Sequence, residues 1–79
     1  MQRDYDGVSV SDLGLAASLT ASGFVVARVD KQNPRRVLFV FDQSPELSRC
    51  IDRFWKGQLL LSATVLLENI RQLKTRIYS

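Results

Sequence analysis

The 79-residue chain predicts an α+β fold, in which a small antiparallel sheet packs against three helices. Three observations carry this expectation. Residues Val37 to Phe41 are β-branched or aromatic apart from Leu38, with no polar alternation, so they read as a strand covered on both faces at the centre of a sheet. Leu47, Cys50, Ile51, Phe54 and Trp55 recur at i, i+3, i+4, i+7 and i+8, the spacing of a core-facing helical stripe. Leu66, Ile70, Leu73 and Ile77 repeat that helical spacing near the C-terminus.

The first helix is expected over about 12–22. Ser11 is placed to cap it, and Asp12 suits the positive end of its dipole. Val10 and Leu15 stand at the positions of a hydrophobic staple. Gly23 fits the left-handed residue that follows a helix, and Phe24 is spaced to fold back on Leu19. Gly14 runs against the pattern, because glycine inside a helix costs about 1 kcal/mol relative to alanine.

A hairpin of about 24–31 against 35–42 follows. Strict alternation sets Val25, Ala27 and Val29 on one face and Phe24, Val26, Arg28 and Asp30 on the other. Gln32-Asn33-Pro34 supplies the turn. Ser44-Pro45 opens the second helix, about 45–56, with proline at a position that has no hydrogen bond to lose. Gly57 closes it. An additional short strand is expected at either 5–10 or 58–61. Ser62 then caps the third helix, about 63–78, with Arg71, Lys74 and Arg76 toward its negative end. No repeat or low-complexity linker divides the chain, so residues 1–79 read as one domain.

Composition narrows the chemistry. Cys50 is the only cysteine and histidine is absent, which excludes an intramolecular disulfide, a His–Cys zinc cluster and a histidine-activated nucleophile within one chain. Cys50 itself falls in the apolar stripe between Leu47 and Phe54 and reads as a small hydrophobe. The eight carboxylates show no paired or metal-ligating spacing, and the four glycines are isolated, so no phosphate loop is present. No catalytic residue, metal or cofactor is expected. The opening MQRDYDG lacks the apolar core of a signal peptide. The most apolar window, Leu59 to Leu67, falls short of the ~18–20 residues a membrane span needs. A cytoplasmic protein without a membrane partner is the expectation.

Two surfaces stand out. On the second helix, Arg49, Arg53 and Lys56 are spaced to follow a phosphate backbone, with Arg35 and Arg36 at the hairpin turn as candidate additions. A net charge of +3 agrees with an anionic partner. Against this, Glu46 and Asp52 share the solvent side, and a solvated helix face laced with i,i+4 pairs explains the same residues. Phe39, Phe41, Phe54 and Trp55 read as core rather than as a base-stacking platform, while Tyr5 and Tyr78 fit either role. The other surface is the second face of the sheet, where Leu38 and Val40, with Val26 nearby, form a patch that a second copy of the chain would cover.

SDLGLAASLTASGF, VLFVFDQSPEL, FWKG and LKTRIYS, in this order and spacing, resemble a family of short prokaryotic and phage proteins catalogued as a domain of unknown function. The resemblance runs from about Val10 to Ser79. It implies domain boundaries and element order, assigns no site residue, and associates the chain with mobile elements. The functional expectation is a non-enzymatic binding or adaptor protein, homodimeric through Val26, Leu38 and Val40. The alternative is a nucleic-acid-binding protein of a mobile element or phage, acting through Arg49, Arg53, Lys56, Arg35 and Arg36.

Overall fold

A computed structural model describes residues 7–78. The elements run β1 (Gly7–Val10), α1 (Leu13–Ala21), β2 (Val26–Asp30), β3 (Leu38–Asp42), α2 (Pro45–Trp55) and α3 (Ala63–Tyr78). One antiparallel sheet of order β1-β3-β2 carries the opening apolar run as its central strand. The α+β expectation holds. Of the two expected sites for a third strand, β1 forms at 7–10. Residues 58–61 form none; they are an irregular link in which Leu59 and Leu61 are half-buried and Leu60 is exposed. Tyr5 and Asp6 lie outside the described residues.

Local signals set the helix ends. Asp12, not Ser11, caps α1: its Oδ1 accepts from the Leu15 N–H at 3.0 Å. Both residue types are good caps, so the choice rests on where the chain leaves β1, which ends at Val10. The cap shift also moves Val10 and Leu15 off the staple positions, although both remain in the core. At the other end Gly23 has φ +104°, the Phe24 N–H donates to Leu19 O at 3.0 Å, and the Gly23 N–H donates to Thr20 O at 3.0 Å. This pair of bonds is the expected Schellman closure. Gly57 (φ +69°) closes α2 in the same way, with the Gln58 N–H donating to Arg53 O at 2.8 Å. Ser44 Oγ caps α2 through the Leu47 N–H, with Pro45 next. Ser62 Oγ accepts from the Val65 N–H at the start of α3.

Register decides what the sheet presents to the helices. Val8 and Val26 lie opposite Phe41, while Val10 and Val29 lie opposite Phe39. These positions face α1, α2 and α3, whose Leu15, Ala16, Ala17, Leu19, Leu47, Cys50 and Leu73 complete the core. A bulge at Ala27 interrupts the pairing, since Val26 meets Phe41 while Arg28 meets the adjacent Val40. The extra residue resets the alternation. Val26 and Val29 therefore both face inward, and Arg28 and Asp30 both face out. Strict alternation had grouped Val26 with Arg28 and Asp30, and the bulge overturns that grouping.

The helices share the cover unequally. Helix α1 lies against both β1 and the other two helices, and Ala16, Ala17 and Leu19 are fully buried. Small alanine side chains permit this close approach on several sides. Thr20 Oγ1 donates to Asn69 Oδ1 at 2.7 Å, tying α1 to α3. The expected stripe of α2 is only partly inside: Leu47 and Cys50 are buried, Ile51 and Phe54 are half-buried, and Trp55 is 63% exposed. Trp55 packs edge-on against Phe54 instead, with ring centroids 5.0 Å apart. It sits at the last helical residue, where α2 runs past the edge of the covered surface.

Candidate functional site

The outer face of the sheet carries a mixed surface. Val40 is only 7% exposed, with Ser9 and Arg28 as its cross-strand neighbours. Leu38 is half-buried and lies opposite Asp30, and Asp30 pairs with Arg28 at 3.9 Å. Val26 belongs to the core beneath Phe41 and does not join Leu38 and Val40. Of the three residues expected to form one patch, two share a face, and polar neighbours surround them.

The basic residues divide in the same manner. Lys56 is held by Asp52 at 3.0 Å, one turn back on α2. Arg35 and Arg36 are exposed in the β2–β3 turn, which Asn33 builds by accepting the Arg35 N–H on its side chain and the Arg36 N–H on its carbonyl. Arg49 and Arg53 border a cavity of about 260 Å³ together with Glu46 and the apolar groups of Phe24, Cys50 and Leu59. Among the described residues, the side chains of Arg35, Arg36, Arg49 and Arg53 carry no ion pair. The row of three cations expected on α2 is thus a pair at a cavity mouth and a third engaged elsewhere.

Sequence reasoning missed one further uncovered surface. Leu67, Ile70, Arg71, Lys74, Thr75 and Tyr78 line an open depression of about 720 Å³ along α3. Leu67 is 60% and Tyr78 83% exposed, while Ile70 is half-buried at the margin of the core. Arg71 is anchored to Glu68 at 2.6 Å, and Lys74 carries no ion pair among the described residues. Positions 67, 71, 74 and 78 follow helical spacing, so they form a second stripe beside the inward one. The signal was present in the sequence, masked because Leu67 and Tyr78 are separated by two cations.

A family described as "Domain of unknown function (DUF5659)" matches residues 6–79. The chain belongs to that family. Neither the curated proteins nor the solved structures contain a match to this DUF5659 chain. The family match spans residues 6–79 and attaches no chemistry to any of the three surfaces. Among the described residues there is no cluster of metal-ligating side chains, and no helix is long and apolar enough to cross a membrane.

Proposed function

We propose that this DUF5659 chain is a non-enzymatic binding module that holds an acidic, amphipathic helical segment of a protein partner against α3. The carrying observation is the uncovered stripe in which Leu67 and Tyr78 flank Arg71 and Lys74. Exposed aliphatic and aromatic groups at helical spacing gain by burial against a second helix, at roughly 25 cal/mol per Å². Between them Lys74, with no ion pair among the described residues, selects a carboxylate at the centre of that partner, beside an Arg71 that Glu68 already engages. A second copy of the chain fits less well. Parallel pairing of α3 with its own copy brings Lys74 against itself, and antiparallel pairing sets it against Arg71, which Glu68 already engages, so neither arrangement gives Lys74 a carboxylate.

A labelled helical peptide with Glu at two successive turns between Leu residues serves as the probe. Expected are saturable binding, its loss in Leu67→Glu and Lys74→Glu, and no binding of the same peptide with Lys in place of Glu. Equal binding of both peptides, or none up to about 1 mM, defeats the proposal; such an affinity is only ~4 kcal/mol of binding free energy.

The nucleic-acid reading retains one observation in its favour: Arg35, Arg36, Arg49 and Arg53 carry no ion pair among the described residues. It requires binding to DNA or RNA that falls steeply with salt. Charge reversal at Arg49 and Arg53 has to weaken that binding. Filter binding at ~50 mM and ~200 mM salt separates this reading from the first.

A further inference from the structure

We infer that the cavity between α2, the end of α1 and the 57–61 link is a site for a compact apolar carboxylate. Arg49 and Arg53 are one helical turn apart on α2, so their side chains project to the same side. Both border the cavity, and neither carries an ion pair among the described residues. Guanidinium groups recognise a carboxylate through paired, charge-assisted hydrogen bonds. Behind them Phe24, Cys50 and Leu59 supply an apolar wall drawn from three segments of the chain.

Charge and size narrow the ligand. Glu46 stands at the same cavity, which leaves two cations against one anion and a local balance of one positive charge. That balance suits a monoanion and penalises a phosphate dianion or a run of nucleic-acid phosphates. At about 260 Å³ the cavity lies below the roughly 300–1,000 Å³ of sites for drug-sized molecules, so the body of the ligand is small. A branched aliphatic chain ending in a carboxylate meets each requirement. Two sources supply that chemistry: a free short-chain carboxylic acid, or the C-terminal residue of a peptide.

Titration of the isotope-labelled full chain, followed by backbone amide shifts, tests the assignment. The probes are 4-methylpentanoate, 4-methylpentanamide, and a short peptide ending in leucine with either a free or an amidated C-terminus. Saturable shifts at Phe24, Cys50 and Leu59 are expected with the carboxylate and not with its amide. Arg53→Gln and Arg49→Gln are expected to weaken binding about tenfold each, the usual scale for a lost charge-assisted bond. Tighter binding of the free-carboxyl peptide than of the small acid identifies a chain terminus as the source, and the reverse identifies a metabolite-sized acid. Equal shifts with acid and amide, shifts confined to α3, or no saturation overturn the inference. The readout is independent of the α3 surface, so either proposal fails without the other.

Discussion

At the scale of single residues, Gly14 in the first turn of α1 and Gly23 just past its end answer to different constraints. Gly14 puzzles a sequence reader because it weakens the helix that it occupies. A Cβ added there meets the Asp12 Oδ1 at 3.2 Å, the same oxygen that caps the helix. Alanine therefore gains up to about 1 kcal/mol of helix propensity while disturbing a cap of similar size. Gly14→Ala is expected to change stability by less than about 0.5 kcal/mol in the wild-type chain, and to stabilise by more in an Asp12→Ala background where nothing is disturbed. Strict additivity of the two substitutions in denaturant titrations refutes this account. Gly23 has open space around its missing Cβ but a backbone at φ +104°. Strain alone acts there, and Gly23→Ala is expected to destabilise by about 1–2 kcal/mol.

At the scale of elements, the sequence displayed whatever depends on neighbouring residues. Helices expected at about 12–22, 45–56 and 63–78 form at Leu13–Ala21, Pro45–Trp55 and Ala63–Tyr78, because caps, proline and glycine act locally. The central strand was visible for a similar reason, since a polar-free run admits few other placements. The bulge at Ala27 was not visible. It forms because tertiary burial of both Val26 and Val29 outweighs regular pairing, and no residue type at 26–28 announces it. Its consequence reached the candidate site, removing Val26 from the outer patch. A neighbouring pair tests the phase. Val26 is 9% exposed and Val25 80% exposed. Val26→Ala is therefore expected to cost about 2 kcal/mol, and Val25→Ala less than about 0.5. Similar costs at the two positions place the bulge elsewhere.

For the whole molecule, the decisive asymmetry is that the core cluster takes in Phe39 and Phe41 from the central strand and leaves out Leu38 and Val40 on its other face. Phe39 and Phe41 are each 1% exposed on the core face, while Leu38, between Val37 and Phe39 in the chain, points the other way toward Asp30. A chain of this length has roughly 4–12 kcal/mol of stability in all. Phe39→Ala, at about 3–5 kcal/mol, removes roughly half of a mid-range value and is expected to lower the thermal midpoint seen by circular dichroism by about 15–30 °C. Leu38→Lys tests the opposite face. There the ammonium reaches solvent along its own stem and has Asp30 opposite, so the unfolding midpoint is expected to remain nearly unchanged. Light scattering at about 10 μM is expected to give the mass of a single chain before and after this substitution, a concentration at which only dimers of micromolar or tighter affinity persist. A doubled mass that Leu38→Lys halves returns the contact surface to the sheet. A doubled mass that Leu67→Glu halves instead makes the occupant of α3 a second copy, and Lys74 then requires a counter-charge from elsewhere in that copy.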